Sequence, residues 1–407
     1  MVASLQKIKT LIGHSARQTP CLTNQSQLWN VEERQLPLSS LEGLEKDVPI
    51  NLLIFRRGLA SFKIGHSQFV VCCTLMFALG CNAPTPVGTP VPVLNGSTMG
   101  TTYLVKYLPS GVDKSPLEVG RLIQDELEQV NQQMSTYLPD SEVSRFNQYK
   151  NTDWFEVSSD TASVVSLALE ISDWSQGAFD VTVGPLVDLW GFGPETPPQK
   201  QLSQEIIDAT LARVGYENLH VRLDPPALRK DNAELHVDLS AIAKGHGVDR
   251  VATVLEKLGA KSFFVEIGGE VIARGRRADG QPWQVGIEQP VENKREIQQV
   301  IGLEDRALAT SGDYRNFYVI EGKRFSHTID PHSGWPVESP VASASVLAES
   351  CALADGLATC MMAMGSEGLM LANNKGWAVM RILRVEDKLT VEYSQEFDRQ
   401  LSTSSAH

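Results

Sequence analysis

Three short stretches carry residue types that could do chemistry together. In Ala352-Leu353-Ala354-Asp355-Gly356-Leu357-Ala358-Thr359 an acid and a hydroxyl stand four residues apart among small apolar residues. On a helix that spacing puts both on one face, one turn apart. A carboxylate on so apolar a helix needs a partner. A hard cation fits, because Mg²⁺ takes one or two protein oxygens and fills its shell with phosphates and water. An Arg neighbour, or a loop to cap, fits as well.

The second stretch is Val237-Asp238-Leu239-Ser240-Ala241-Ile242-Ala243-Lys244-Gly245-His246-Gly247. Leu235, Val237 and Leu239 alternate with polar residues and predict a half-buried strand, with Asp238 pointing away from the core. Ser240 is placed to cap a helix running from about Ala241 to Leu258. Two glycines inside that helix cost about 1 kcal/mol each relative to alanine. Either a ligand approaches the bare backbone or the helix packs tightly there. A helix N-terminus beside Lys244 is a ready phosphate site.

The third holds Thr310-Ser311-Gly312-Asp313-Tyr314-Arg315-Asn316 and Phe325-Ser326-His327-Thr328-Ile329-Asp330-Pro331. An imidazole flanked by hydroxyls near a strand end is either a catalytic group or a satisfied structural one. Met99-Gly100 and Gly177-Ala178-Phe179-Asp180 add glycine-flanked polar spots.

These residues need a scaffold, and the pattern supplies one. Ser115-Pro116-Leu117-Glu118 is a capping box opening a helix to about Gln133. Further helices are predicted over 160–174, 204–214 and 352–364. Strands are predicted over 101–108, 263–267, 283–287, 308–310, 317–320, 326–329 and 342–347. Long crossovers mixed with hairpin-like runs predict an α+β fold, with largely antiparallel sheets flanked by helices, as one domain over 94–400.

The chain of 407 residues has room for such a core, and its net charge of −13 without a basic run excludes a nucleic-acid binder. Of its six cysteines, Cys351 and Cys360 lie nine residues apart on one predicted helix. That is about 13 Å along the axis, against the roughly 7 Å limit for a disulfide. They cannot bridge.

Ahead of the domain, Phe69 to Leu79 is an apolar run preceded by Arg56, Arg57 and Lys63. Its 11 residues span only about 17 Å of helix, short of a bilayer core of about 30 Å. Residues 51–81 therefore read as a signal peptide ending at Ala78-Leu79-Gly80-Cys81, which resembles a bacterial lipobox. Residues 82–93 read as a proline-rich tether. Residues 1–50 show no periodicity and read as an unordered extension, or as sequence upstream of the true start.

Eight segments, in order, resemble the ApbE-type FAD:protein FMN transferases, which are flavin-handling bacterial envelope lipoproteins. They are MGTTY (99–103), MSTYLPDSEVSRFN (134–147), GAFDVTVGPLVDLWGFGP (177–194), DLSAIAKGHGVDR (238–250), VEIGGE (265–270), ATSGDYRN (309–316), SHTIDPHSGWPV (326–337) and CALADGLAT (351–359). The resemblance implies that Met99, Tyr137, Ala178, Phe179, Asp180, Asp238, Lys244 and Ile329 line an FAD site. It implies that Asp355, Thr359 and the Ala241 carbonyl hold Mg²⁺, and that His327 is the family's essential histidine. Some relatives carry a second metal carboxylate where this chain has Ala358.

The implied reaction moves FMN from FAD to a threonine of an acceptor protein, releasing AMP. The threonine hydroxyl must lose its proton, and an imidazole, with its ordinary pKa near neutrality, makes His327 the candidate base, with Asp313 or Asp330 to orient it. By family analogy the acceptor is a subunit of a sodium-pumping NADH:quinone reductase or RNF-type complex, or another flavinylated envelope protein. It would be met in the cell envelope by an enzyme lipid-anchored at Cys81. The rival readings are an FAD pyrophosphatase and a non-catalytic FAD-binding lipoprotein.

Overall fold

The computed structural model describes residues 90–404 except 194–197, 199–201, 292–293, 315, 321 and 387. The extension over 1–50, the signal over 51–81 with Cys81, and the tether as far as residue 89 lie outside the described residues. Among those described, no helix is long and apolar enough to cross a membrane.

The strands are β1 (Val93–Thr98), β2 (Thr101–Tyr107), β3 (Phe155–Glu156), β4 (Leu219–Leu223), β5 (Pro226–Lys230), β6 (Phe263–Ile267), β7 (Glu270–Arg274) and β8 (Trp283–Glu288). Then follow β9 (Ile297–Leu303), β10 (Arg306–Gly312), β11 (Phe317–Ile320), β12 (Lys323–Ser326), β13 (Val341–Ala348), β14 (Ala378–Val385) and β15 (Lys388–Tyr393). The helices are α1 (Pro116–Met134), α2 (Glu142–Gln148), α3 (Ser159–Trp174), α4 (Gly184–Leu189), α5 (Gln204–Leu211), α6 (Ala243–Lys257), α7 (Cys351–Ala363), α8 (Gly368–Lys375) and α9 (Gln395–Ser404).

Eight strands form one sheet in the order β1-β2-β6-β7-β10-β13-β14-β15, every neighbouring pair antiparallel. Its two faces carry separate cores, as the two-residue period of a strand requires. On β10, Ala307 and Ala309 join the large core under α1, α3, α6 and α7, while Leu308 joins a smaller one. That smaller core is closed by the β8–β9 hairpin and by Phe397 of α9. The fold is therefore α+β with largely antiparallel sheet, as expected. Cys351 and Cys360 are both free and buried.

The predicted strand over 235–239 is not a strand, and the reason is instructive. His236 makes a single parallel bridge to Val183, and Asp238 N–H donates to the Val181 carbonyl at 2.8 Å. On the other side, side chains replace a second ladder. The Asn147 amide accepts from Val237 N–H at 2.7 Å and donates to its carbonyl at 2.9 Å. Lys230, fully buried, donates to the carbonyls of Phe146, Asn147 and Leu235 at 3.0–3.2 Å. Burial pulls its ammonium down to about 8, so it stays protonated at pH 7. Lys230→Met fills the same space but takes a donor from all three carbonyls, of which Phe146 keeps Tyr149 N–H, and is expected to cost roughly 2 kcal/mol or more. A thermal melt checks this; an unchanged midpoint would show that the segment holds itself.

Candidate active site

Helix α7 begins against α6. The Ser350 side chain accepts from Leu353 N–H, and the Asp249 carboxylate of α6 accepts from Cys351 N–H at 2.8 Å and Ala352 N–H at 2.9 Å. Burial pushes the Asp249 carboxyl up to about 6, with those two amides pulling the other way. A Cβ on Gly245 would lie 2.8 Å from Ala352 Cα. Close helix–helix approach, more than ligand access, therefore explains Gly245. At Gly247 a Cβ would press on the Met99 methyl, 2.8 Å away. Met99 itself sits in the tight β1–β2 turn at φ 48°, followed by Gly100 at φ 70°. Two left-handed residues suit the twist of a two-residue hairpin.

This docking aims Asp355, one turn into α7, at the start of α6. The helix starts at Ala243, not Ala241, and Ser240 makes no cap; its own N–H donates to Asp238 Oδ1 at 2.8 Å. Gly245 N–H, one of the first-turn amides that the helix itself leaves unsatisfied, donates to Asp355 Oδ2 at 2.9 Å. Lys244 Nζ lies 3.5 Å from Asp355 Oδ1 and 3.2 Å from Glu270 Oε1 at the head of β7. Both acids are buried, at 1% and 4% exposure. A turn further along α7, Thr359 Oγ1 meets Ser311 Oγ of β10 at 3.0 Å.

One ammonium thus serves two buried acids. Burial raises both carboxyls above their usual range, and Lys244 opposes this. Burial pulls Lys244 down, but Asp355 and Glu270 together outweigh it, so its ammonium is held firmly charged. The cluster carries one more acid than base.

His327 follows the β11–β12 hairpin. Its Nδ1 lies 3.1 Å from the Asn316 carbonyl, and its backbone N–H reaches the same oxygen at 3.3 Å. A carbonyl only accepts, so Nδ1 carries the proton and Nε2 keeps its lone pair. The Phe192 ring stands edge-on at 6.3 Å. Burial, reinforced by the positive charge of Lys244, holds the imidazole below its ordinary 6.5, against Asn316 and Asp313. Neither acid expected to orient His327 bonds to it. Asp313 faces Arg384 at 3.5 Å and Arg324 at 3.8 Å, and Asp330 accepts from Ser333 and His332.

The other expected residues fall into two groups. Asp238 lines a cleft of about 410 Å³ with Thr136, Asn147, Asp188 and His236, and Tyr137 is exposed beside it. Burial raises the Tyr137 hydroxyl, and the negative charges of Asp238 and Asp188 add to that. The Ala178–Asp180 turn stands behind the cleft wall and does not line it; the next residue, Val181, accepts from Asp238 N–H. Within the turn, Phe179 is in the core and Asp180 is spent on Thr182 and on Tyr216 N–H. Ile329 is buried in a small aromatic core with Trp190 and Phe325.

Sequence reasoning passed over Glu270 and Ser311. A signal for Glu270 was present: a charge heading a strand whose next three residues, Val271, Ile272 and Ala273, are all buried. Among the described residues no group of three or more His, Cys, Asp or Glu side chains is arranged to hold a metal. The oxygen set still fits a hard cation that needs few protein ligands. It offers the buried Asp355 carboxylate and, one turn on, the facing hydroxyls of Thr359 and Ser311.

A buried acid–lysine–acid cluster, with a neutral imidazole in the field of that lysine, is the arrangement of an enzyme site. Residues 99–381 match the ApbE family, and the chain belongs to that family. The FAD:protein FMN transferase of Vibrio cholerae is 44% identical over 83% of this chain and 99% of its own length. That of Haemophilus influenzae is 42% identical over 77% of this chain and 93% of its own, and that of Escherichia coli K12 36% over 82% and 97%. The solved flavin transferase ApbE of Vibrio cholerae superposes with a TM-score of 0.71, covering 76% of this chain and 99% of that one. The apo flavinyl transferase ApbE of Pseudomonas stutzeri, 38% identical, also gives 0.71 over 76% and 96%.

Proposed function

We propose that this enzyme transfers FMN from FAD to a threonine hydroxyl of an acceptor protein and releases AMP. The observation that carries the reading is the Lys244–Asp355–Glu270 cluster, a charged and buried site whose lysine acts electrostatically on an imidazole with a free Nε2. The activity named for the Vibrio cholerae relative supports it. Mg²⁺, held by Asp355, the Thr359 hydroxyl and the Ala241 carbonyl, would neutralise the charge of a pyrophosphate.

The chain's own groups do the rest. Lys244 and the first-turn amides of α6 draw the diphosphate toward the cluster. Tyr137, Asp238 and Met99 line the way in, backed by the Ala178–Asp180 turn. His327 Nε2 takes the proton of the threonine hydroxyl as its oxygen bonds to the phosphorus on the FMN side. The P–O bond to AMP breaks, and AMP leaves with that electron pair. The acceptor is an envelope protein bearing a short threonine motif, of the NADH:quinone reductase or RNF kind. The enzyme meets it from a lipid anchor at Cys81.

The test mixes the protein with FAD, Mg²⁺ and such an acceptor domain and reads the acceptor's mass. An FMN adduct that disappears with EDTA and returns with Mg²⁺ is expected. FMN and AMP released equally fast without acceptor would make the enzyme a pyrophosphatase. Intact FAD after long incubation would make the chain a binding protein.

A further inference from the structure

Glu270 has no role so far except to share Lys244. Its Oε1 lies 3.2 Å from the ammonium, and its Oε2 is buried without a hydrogen-bond partner. Asp355 is differently placed: Gly245 N–H already holds Oδ2, and Lys244 stands at Oδ1. A cation arriving at Asp355 must compete with Lys244 for Oδ1, because like charges repel strongly at such range in a buried site. The displaced ammonium then needs another partner, since an unpaired buried charge is costly. Glu270 has the spare oxygen, and a lysine stem is long and flexible enough to swing to it.

We propose that Glu270 is the berth onto which Lys244 moves when a divalent cation occupies Asp355. Glu270 is then a positioning residue that sets cation affinity without touching the cation. This rests on the Asp355–Thr359 cation site proposed above.

The experiment titrates Mn²⁺ into the full chain without FAD, by calorimetry or by loss of the free Mn²⁺ resonance signal. The proteins compared are wild type, E270Q, Lys244→Met and the double variant. In E270Q the lysine has only Asp355 to hold, and Mn²⁺ is expected to bind about tenfold more weakly. With Lys244→Met in place there is no competitor, and adding E270Q should change the affinity by less than about twofold. Equal weakening in both backgrounds would make Glu270 a ligand or a structural acid and overturn the inference; so would no weakening at all. Should E270Q fail to fold, E270D, which retracts the carboxylate by one methylene, carries the same cycle. Wild type that binds no Mn²⁺, or binds it regardless of D355N, overturns the cation reading and this inference together. Binding that D355N abolishes, without the coupling, overturns the inference alone.

Discussion

Asp355→Asn is expected to lower FMN transfer by about a thousandfold or more while leaving the protein folded. The size follows from what the carboxylate does, since phosphoryl transfer depends mainly on charge neutralisation and positioning, and one such group commonly contributes that much. The folded state survives for a local reason. Asparagine has nearly the same shape, its oxygen can still accept from Gly245 N–H, and Lys244 keeps Glu270 at 3.2 Å. Removing a charge that burial already disfavours costs the fold little. Mass spectrometry of the acceptor and a thermal melt separate the two effects. Transfer within tenfold of wild type would mean that the chemistry lies elsewhere. Thr359→Val, which removes one hydroxyl facing Ser311 and no charge, should cost less.

The second large effect concerns His327. Replacement by glutamine is expected to slow transfer by about 10²–10⁴-fold, the usual worth of a general base. The pH profile distinguishes that role from a merely structural one. A base must be unprotonated, and burial holds this imidazole below 6.5. The wild-type rate should be flat from pH 7 upward and fall about tenfold per unit only once pH drops below that depressed value. In the glutamine variant the acid limb should vanish. Phe192→Ala opens one side of the ring to water, so the limb should move up toward 6.5. Stability carries the same sign. A histidine whose folded pKa is depressed contributes fully above 6.5 and costs stability as pH falls through the window beneath it. An acid limb at or above 6.5 in wild type would rule out His327 as the group titrating.

Much of the scaffold was legible in short windows. The capping box at Ser115 and Glu118 forms as read, and β6 runs Phe263–Ile267 as the apolar run indicated. Asp355 and Thr359 share a face of α7 because four residues make about one turn. The failures have one physical character. The alternation over 235–239 gives the right inward faces, with Leu235, Val237 and Leu239 all buried. It does not reveal that the backbone partners are the side chains of Asn147 and Lys230 instead of a second strand. Ser240 is a good capping residue, yet the first turn of α6 is satisfied by Asp355, 110 positions away.

What the sequence determined by itself was local: which residues are helical or extended, which faces are apolar, and which carboxylate, hydroxyl and imidazole stood out. Tertiary structure decided who meets whom. Lys244 is bound to Asp355 and Glu270, His327 to the Asn316 carbonyl, and Asp313 to two arginines instead of to the histidine. The reason is that propensity and periodicity act over a few residues. A buried charge, by contrast, selects its partner in three dimensions, from whatever the packing of α6, α7 and the sheet brings within reach.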